Sequence, residues 1–534
     1  MRKVSVVSPT EAGALIPDGA VVTVSSSSGL GCPDTVLRGI GERFAATGSP
    51  AGLTTVHPIA AGDMAGIKGI DHLVRPGLLR RVIAGSYPSG PSSAEPPLIW
   101  QAIEGDELEA YNLPSGVLFQ MHRAGAARQP GVFTRVGMDT FVDPRQTGGR
   151  MNARTTNQLV RVETFDGEEW LFFPALRPDV AVIRASTADE WGNLTFEDEG
   201  ATLGALDQAY AAHNNGGIVI AQVRRLAEGG SLHPHHVRVP GILVDAVVVD
   251  ADQWQTTQTR HDPALSGEIR RPLNSLPPTE WSLQKVIARR AAQEIRSGDI
   301  VNLGFGISAL VPRILVEEGV EDEVTWVIEQ GAVGGVPLTG FAFGCSMNAH
   351  ALLPSVDQFT LLQGGGFDRA MLSFLEIDEE GNVNVHALPG RRHVTAGVGG
   401  FADITSGARA LVFGGNFTAG RRDIAIEDGR LAIRAEGRVP KLVKRVNEIT
   451  FSGRRALRQG QRVRYVTERC VLELRPDGLT VIEVAPGIDL QRDVLDQAEF
   501  ELRVADDIAP MDARLFDPAP MRLQLHEASV GSTR

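Results

Sequence analysis

The sequence predicts an α/β fold with two related open α/β domains, each holding a mostly parallel sheet and flanking helices. Its 534 residues exceed the usual size of one domain. A pattern of short strand, loop of small residues and helix occurs twice along the chain. Apolar runs rich in Val and Ile alternate with helical patterns in both halves, which is typical of buried parallel sheets.

The repeated pattern begins at residues 18–29 in the first half and at residues 298–308 in the second. Each segment has the composition of a turn, a β-rich strand and a loop. A helical pattern follows each loop, at residues 33–42 and 309–318 respectively. The two halves are therefore predicted to be versions of one α/β unit.

A later turn also recurs. Asp189 opens the sequence DEWGN and Asp378 opens DEEGN, and we expect both aspartates to shape β-turns. The spacing from the first strand of the repeat to this turn is longer in the first half by about ninety residues. The first domain is therefore predicted to carry an insertion of that size.

The predicted domain boundaries follow from composition. Residues 1–252 form the N-terminal domain with the insertion. Residues 253–279 are polar and contain several prolines without a sustained period, so they are predicted to be a linker. A new helical pattern opens the C-terminal domain, residues 280–520. Residues 521–534 form a tail whose small polar end is expected to fray.

Composition and charge exclude several classes of protein. Lys and Arg total 52 against 65 Asp and Glu, a formal net charge of −13, which argues against a binder of nucleic acid or anionic membranes. No apolar run approaches the roughly 18 residues that span a membrane. The three cysteines contain no CxxC pair. We therefore expect no disulfide framework, no metal site and a reducing, cytoplasmic location.

Two glycine loops are candidates for ligand binding. Residues 303–308, LGFGIS, follow a strand and open a helix, where free amides suit a phosphate or a pantetheine chain. A dinucleotide fingerprint fails because Ala309 takes the third small position and no acidic ribose partner follows. Residues 397–401, GVGGF, would let backbone amides approach a reacting carbonyl, as in an oxyanion hole. A turn required only for packing explains the loop 303–308 equally well, and a glycine loop taken singly, such as 397–401, is usually a turn.

An acid stands directly beside glycines in residues 323–335. The apolar run VTWVI ends in Glu329, and QGAVGG follows it. In open α/β folds ligands bind at the carboxyl ends of strands, and a carboxylate there loses hydration unless it is partnered. One interpretation of Glu329 is a nucleophile that attacks an activated carbonyl. The other is a helix-capping or salt-bridged acid.

Three further groups point to structural roles. The histidines of the sequence His233-Pro-His-His suggest a metal tract, but the proline and the lack of nearby acids favour a surface loop. Cys345 has no histidine at a catalytic spacing and is expected to be a small buried residue. The basic run 391–393 fits either a nucleotide phosphate or a solvated loop.

Several segments together resemble the signatures of family I coenzyme A transferases, in that family's order. The run IEQGAVGG resembles the family's glutamate–glycine motif, and VNLGFGI resembles its VNLGIGIP stretch. Two segments of the first half are similar to the fused-chain subgroup, which contains acetate/propionate and 3-ketoacid coenzyme A transferases. The resemblance runs from about residue 3 to about residue 515. The matching segments are 109–117, 140–145, 301–307, 328–335, 381–385, 397–401 and 413–420.

The resemblance implies roles for particular residues. Glu329 falls on the catalytic glutamate, and Gly399 and Gly400 fall on glycines whose amides face the reacting carbonyl. Ser115 stands where the family has a glutamine that can donate to the oxyanion, and it is shorter. The N-terminal loop is rich in serine where the family has glycine. The residues expected to bind coenzyme A are Ser25, Gly29, Asn302, Gly304, Gly306 and Gly397.

The resemblance also implies an activity, with the active site between the two domains. The chain is expected to transfer coenzyme A from a short-chain acyl-CoA to a free carboxylate by a ping-pong mechanism through a glutamyl-CoA thioester. Coenzyme A is then a substrate that is transiently covalent, and no cofactor or metal is expected. Acyl-CoA and small carboxylic acids are the expected partners, and a homodimer or homotetramer the expected assembly.

Three alternatives stay open at this point. An acyl-CoA hydrolase of the same fold would undergo the same acylation but use water as the acceptor. A non-catalytic module that senses acyl-CoA or carboxylates is disfavoured because neither end of the chain has a helix-turn-helix segment or a basic patch. An NAD-linked oxidoreductase is disfavoured by the failed dinucleotide fingerprint.

Overall fold

The computed structural model describes residues 2–63, 65–88, 96–388, 390 and 395–527. Within them, no helix combines the length and apolarity that crossing a bilayer requires. The α-helices are Pro9–Ala14, Asp34–Thr47, Leu98–Glu104, Ser115–Ala126, Ala205–His213, Leu283–Ala292, Val311–Glu318, Ser355–Gln363, Phe401–Gly407, Gly453–Gln459 and Leu490–Asp493.

The first half folds around an eight-stranded sheet in which every neighbouring pair of strands is parallel. Two of its strands are buried along their whole length, as expected when both faces of a sheet are covered. In spatial order the strands are Ser5–Val6, Ala246–Val249, Ile218–Val223, Val180–Arg184, Val21–Val24, Leu53–His57, Leu79–Ala84 and Glu109–Asn112.

The second half folds around a ten-stranded sheet. Its five central strands, from Thr325–Val327 to Arg462–Val466, are parallel to one another. Antiparallel pairs flank them on both sides, and the outermost pair, Gly478–Val484 with Arg503–Pro510, is parallel. In spatial order the strands are Ala351–Leu352, Ala332–Val333, Thr325–Val327, Ile300–Leu303, Arg369–Ser373, Ala410–Gly414, Arg462–Val466, Cys470–Arg475, Gly478–Val484 and Arg503–Pro510.

The two sheets arrange their parallel strands in the same order. In each half, the first strand of the sequence repeat is followed by a helix and then by a parallel neighbour. That neighbour is Leu53–His57 in the first half and Thr325–Val327 in the second. The helices between them, Asp34–Thr47 and Val311–Glu318, lie where the sequence predicts them. The predicted fold class is confirmed.

The first half carries additional structure between Leu53–His57 and Val180–Arg184. It includes two more parallel strands of the main sheet and a three-stranded antiparallel sheet of Gly131–Thr134, Glu168–Pro174 and Arg161–Phe165. The remaining small sheets pair Arg225–Ala227, Thr187–Asp189, Leu194–Thr195 and Val237–Val239; Arg296–Ser297 and His526–Glu527; Val336–Pro337 and Ser346–Met347; Glu376–Ile377 and Val383–Asn384; Thr418–Ala419 and Val439–Pro440; and Asp423–Glu427 and Arg430–Ala435.

The segment between the two main sheets is packed against both halves. Gln253 Nε2 donates to the carbonyl oxygen of Ala185 at 2.9 Å in the first half. Thr256 Oγ1 donates to the carbonyl oxygen of Phe341 at 2.6 Å in the second. The C-terminal tail is attached as far as His526–Glu527, which pairs with Arg296–Ser297, whereas residues 528–534 lie outside the described residues.

The two halves meet along the helices Ser115–Ala126 and Ser355–Gln363. The rings of Phe119 and Phe359, one on each helix, have centroids 5.8 Å apart. One hydrophobic cluster includes buried residues of both halves. The halves therefore share a continuous core, which fixes the position of one sheet relative to the other.

Candidate active site

Glu329 lies in a tight turn that follows the strand Thr325–Val327. The N–H of Ile328 donates to the carbonyl oxygen of Ala332 at 2.9 Å, and the N–H of Gly331 donates to that of Ile328 at 2.8 Å. Gly331 has a φ of +122°, and a Cβ there would lie 1.9 Å from the carbonyl oxygen of Leu353. A side chain at position 331 is therefore excluded, and the glycine after Gln330 is what lets the chain turn behind the acid.

The carboxylate of Glu329 is half-buried and bound by neutral donors. Gln330 Nε2 donates to Oε1 at 3.1 Å, and the N–H of Gly400 also donates to the carboxylate. Burial raises the pKa of Glu329 to about 7, although the two hydrogen bonds act to lower it. Among the described residues Glu329 has no ion-pair partner, so the structure does not favour the salt-bridged interpretation.

Gly400 reaches Glu329 from the loop 397–401. An ideal Cβ at Gly400 would lie 2.0 Å from Glu329 Oε2, so the approach of backbone to carboxylate is open only to glycine. The helix Phe401–Gly407 begins immediately after Gly400. The Gly400 amide is therefore a fixed donor beside the acid, as an oxyanion hole requires.

The Gly399 amide does not match the expectation that both glycine amides face a reacting carbonyl. Its N–H donates to the carbonyl oxygen of Gly85, in the first half, at 2.7 Å. Of the two glycines, the one whose N–H is directed at Glu329 is Gly400. The Gly399 N–H is not free to face a reacting carbonyl, because its hydrogen bond to Gly85 links the second half to the first.

Gly397 has a related structural role. Its φ is +97°, and a Cβ there would approach Asn112 Nδ2 to 2.8 Å. The side chain of Asn112 accepts the N–H of Val398 at 2.8 Å and donates to the carbonyl oxygen of Gly85 at 2.6 Å. The loop is thus held at the carboxyl ends of strands of the first sheet, and the residues around Glu329 come from both halves.

Ser115 also has partners other than a substrate. It is fully buried, and its Oγ donates to the carbonyl oxygen of Pro58 at 2.6 Å. Its N–H donates to the carbonyl oxygen of Gly399 at 2.9 Å. This geometry does not support the expected oxyanion role, because the hydroxyl proton is already bound; Ser115 anchors the start of its helix.

Three predicted coenzyme A contacts lie in the strand Ile300–Leu303 and in the loop after it, and their surroundings differ. Asn302 is fully buried and its Nδ2 donates to the carbonyl oxygen of Val327 at 2.8 Å, which ties two strands together. The Gly304 N–H donates to the carbonyl oxygen of Met371 at 2.8 Å. Gly306 is exposed, with a φ of +102°. Of the three, Asn302 is buried in the sheet, Gly304 is partly exposed and Gly306 is exposed.

The corresponding loop of the first half is packed. The N–H of Ser25, which is buried, donates to the carbonyl oxygen of Val182 at 3.0 Å. A Cβ at Gly29 would lie 2.2 Å from Thr257 Oγ1. The residue of this loop that reaches the site is Ser27, whose Oγ accepts a hydrogen bond from Gln330 Nε2 at 3.2 Å.

The sequence reasoning missed two polar side chains at the site. Gln330 is buried and bridges Glu329 and Ser27; its place directly after the acid was an available signal. Asp403 is also buried, and burial raises its pKa to about 7, with a contribution from the charge of Glu329. An acid in the first turn of a helix is too common to have marked Asp403.

Two of the three groups that were assigned structural roles lie within the described residues. His233, His235 and His236 are exposed with their rings in contact, and the described residues hold no group that could bind a metal ion. Burial of Cys345 in a small apolar cluster is confirmed. The basic run 391–393 lies outside the described residues.

The two aspartates of the recurring turn behave as predicted. Asp189 Oδ1 accepts the N–H groups of Trp191 and Asn193, at 3.0 and 2.9 Å. Asp378 Oδ1 accepts those of Glu380 and Asn382, at 3.1 and 3.0 Å. Their role in shaping β-turns is confirmed.

The arrangement around Glu329 suits nucleophilic catalysis by a carboxylate. The acid has no cation to neutralise it among the described residues, and its raised pKa makes the ionised form a more basic nucleophile. A glycine amide beside it is placed to bind negative charge that develops on an adjacent oxygen. A transient acyl or thioester bond at Glu329 is the chemistry that this geometry supports.

Comparison with known sequences agrees with that chemistry. The family profile described as "Coenzyme A transferase" matches residues 6–250. The chain is 42% identical over 515 residues to a caffeate CoA-transferase of Acetobacterium woodii, covering 96% of this chain and 97% of that protein. It is 41% identical over 529 residues to the acetate CoA-transferase YdiF of Escherichia coli strain K12, covering 99% and 98% respectively.

Solved structures give the same result for the fold. The apoenzyme of the acyl-CoA transferase YdiF of Escherichia coli O157:H7 superposes with a TM-score of 0.91 at 40% identity, covering 98% of both chains. A thioester complex of that protein with coenzyme A superposes with a TM-score of 0.90 at 40% identity, again covering 98% of both chains.

Proposed function

We propose that this chain, which belongs to the coenzyme A transferase family, carries coenzyme A on Glu329 between two half-reactions. The single observation that supports the choice of residue is the contact between the Gly400 amide and the half-buried Glu329 carboxylate. A carboxylate bound by backbone and amide donors, without a cation, is poised to exchange acyl groups rather than to stabilise the fold through an ion pair.

The first half-reaction proceeds in two displacements. A carboxylate oxygen of Glu329 attacks the thioester carbonyl of an acyl-CoA, the carbon–sulfur bond breaks, and an acyl-glutamyl anhydride and the coenzyme A thiolate result. The thiolate then attacks the glutamyl carbonyl carbon. The bond between that carbon and the bridging oxygen breaks, the first acid leaves as a carboxylate, and a glutamyl-CoA thioester remains. No net proton or electron is exchanged.

The second half-reaction reverses these steps with an acceptor carboxylate. In each displacement negative charge develops on the glutamyl carbonyl oxygen or on the acyl oxygen, and the Gly400 N–H lies beside that position. Exclusion of water would preserve the thioester, which distinguishes transfer from hydrolysis. Coenzyme A is a substrate in this scheme, and the reaction requires neither a cofactor nor a metal.

Chemical trapping tests the proposed role of Glu329. The protein is incubated with acetyl-CoA without an acceptor, then treated with sodium borohydride, which reduces a thioester to an alcohol. We expect loss of activity and a reduced side chain at Glu329 by peptide mass spectrometry. Glu329→Gln and a sample without acetyl-CoA are the controls. Full activity after treatment, or reduction at another residue, would overturn the proposal.

The acids that the chain uses are proposed from its relatives. Small carboxylates such as acetate are the expected acceptors, since one relative is named an acetate CoA-transferase, and caffeate belongs in the same screen because of the other. Acetyl-CoA is mixed with each acid and the acyl-CoA products are identified by mass. A chain that releases free coenzyme A without an acceptor at the same rate would be a hydrolase.

Two further properties complete the proposal. The family resemblance implies a homodimer or homotetramer, which light scattering of the purified chain measures directly. All three cysteines, Cys32, Cys345 and Cys470, are unpaired and buried, which supports a reducing compartment such as the cytoplasm. A monomeric mass, or secretion of the native protein, would contradict these two points.

A further inference from the structure

Asp403 binds the facing helix across the boundary between the halves. Its carboxylate accepts the N–H of Gly116 at 3.0 Å and the Nε2–H of Gln363 at 2.7 Å, and the amide of Val117 also donates to it. Gly116 and Val117 lie in the first turn of the helix Ser115–Ala126, whose own N-cap residue, a proline, provides no side-chain acceptor. Asp403 therefore supplies from the second half the carboxylate cap that this helix lacks.

The same segment carries the donor to Glu329. Gly400 precedes the helix Phe401–Gly407, and Asp403 lies in the first turn of that helix. The Ser115 N–H donates to the carbonyl oxygen of Gly399 at 2.9 Å. Three successive amides of the facing helix, at positions 115–117, thus bind the segment 399–403 at its two ends. Gly400 lies between these attachments.

The ring of Phe359 packs against the backbone at both Gly400 and Gly116. An ideal Cβ at Gly400 would lie 2.8 Å from this ring, and one at Gly116 would lie 2.7 Å from it. Neither backbone segment can move toward Phe359, because interiors packed this tightly do not yield without shifting their neighbours. A shift of the segment at Asp403 is therefore transmitted to Gly400.

The first half contains a matched acid with different partners. Asp207 follows Gly204 by three positions, as Asp403 follows Gly400, and both lie in the first turn of their helices. Asp207 is also buried, but it accepts from Arg123 Nε at 2.7 Å. The carboxylate cap on a facing helix is thus a property of the half that carries Glu329.

We propose that Asp403 is a positioning residue for the transfer reaction, which holds the Gly400 N–H against Glu329 by capping the helix of the other half. The inference rests on the proposed role of Glu329. Loss of the cap would displace the donor by a fraction of an ångström to an ångström, and such displacements of catalytic groups lower rates strongly.

Two variants at position 403 and two at position 207 test the proposal. Asp403→Ala removes both acceptor oxygens, whereas Asp403→Asn keeps one; Asp207→Ala and Asp207→Asn are the matched controls. Rates are measured with acetyl-CoA and propionate, and melting temperatures are recorded for all four. We expect kcat to fall about 100-fold in Asp403→Ala, the effect of losing one oxyanion donor, and less in Asp403→Asn. KM for acetyl-CoA should stay within about twofold, because the donor acts on the transition state.

The Asp207 variants should retain kcat within about threefold. A folded Asp403→Ala protein with the same kcat as Asp207→Ala would overturn the inference, as would a rise in KM with kcat unchanged. If Asp403→Ala does not fold, Asp403→Asn decides by the same two criteria. Borohydride trapping separates the two proposals: a failure to label wild-type Glu329 rejects the proposed function, whereas normal labelling with undiminished kcat in the Asp403 variants rejects this inference alone.

Discussion

The backbone of Gly400 touches the carboxylate of Glu329 so closely that a single methyl group at position 400 would lie 2.0 Å from Oε2. The neighbouring Gly399 has a φ of +53°, and a Cβ added there would meet no atom within 4 Å. The two adjacent glycines are therefore required for different reasons. Gly400 lets the backbone approach the Glu329 carboxylate, and Gly399 adopts a left-handed backbone conformation.

Gly400→Ala should abolish most of the activity. The added methyl group must displace either the carboxylate or the loop, so we expect a fall in kcat of about 100-fold or more, as for loss of one oxyanion donor. Gly399→Ala is the matched control. It places Ala in the left-handed region at a cost of about 1–2 kcal/mol, so its melting temperature should fall while kcat stays within a few-fold. Equal kcat values for the two variants would contradict this account.

The rate should depend on ionisation of Glu329. Burial raises the pKa of Glu329 to about 7, and in the proposed reaction the ionised form is the nucleophile. We expect kcat/KM for acetyl-CoA to fall about tenfold per pH unit below pH 7. Asp403 titrates in the same range, so the apparent values belong to the pair. A flat profile from pH 5 to pH 8 would argue against a carboxylate nucleophile with this pKa.

Gln330→Met should move that acidic limb to higher pH. The hydrogen bond from Gln330 lowers the pKa of Glu329, so removal of the donor raises it further and less of the nucleophile is ionised at neutral pH. The measurement is the midpoint of the kcat/KM profile in the variant against the wild-type chain. A midpoint that stays in place or moves to lower pH would show that Gln330 does not bind the ionised carboxylate.

Glu329→Gln should stabilise the fold at alkaline pH. The folded pKa, about 7, lies above the ordinary 4.5, so the stability contributed by the protonated acid is present below pH 4.5 and is lost as pH rises through about 7. The Glu329→Gln variant has no ionisable group at this position, so it does not lose this stability as the pH rises. At ~1.4 kcal/mol per pKa unit, the rise from 4.5 to about 7 corresponds to a difference in unfolding free energy of about 3.5 kcal/mol well above pH 7. Its melting temperature should exceed that of wild type by more at pH 8 than at pH 5; the reverse order would refute the shift.

Ser115→Ala separates stability from catalysis. The buried carbonyl oxygen of Pro58 loses its hydroxyl donor, which costs about 1–3 kcal/mol. Because the Ser115 hydroxyl is not directed at a substrate, kcat should stay within about threefold while the melting temperature falls. A loss of kcat near 100-fold at an unchanged melting temperature would instead assign the hydroxyl to the oxyanion.

The fold and the acid were accessible from the sequence, whereas the donors around the acid were only partly so: Gly400 was named together with Gly399, and Gln330 was not named. Periodicity and the repeated strand–loop–helix pattern predict both sheets. An acid that ends an apolar run beside glycines makes Glu329 a candidate, and the family resemblance assigns it the catalytic role. The distinction between Gly399 and Gly400 depends on Gly85, which lies far away in the chain. Local sequence contains no signal for a contact of that kind.

Two of the predicted site residues have structural partners for one shared physical reason. Asn302 and Ser115 are polar residues at strand and helix ends, where a ligand contact and a structural hydrogen bond look alike in sequence. The structure shows that both are fully buried and bind backbone carbonyls. Burial depends on which element packs over each residue, and that is decided by the other half of the chain.

The strand of the first half that corresponds to Thr325–Val327 is Leu53–His57. The residue that follows it, Pro58, has no ionisable side chain. The carbonyl of Pro58 is occupied by Ser115. We therefore expect the duplicated architecture, over the residues that the structure describes, to hold one reactive centre, so that an acyl-CoA analogue that labels the proposed nucleophile irreversibly would saturate at one equivalent per polypeptide.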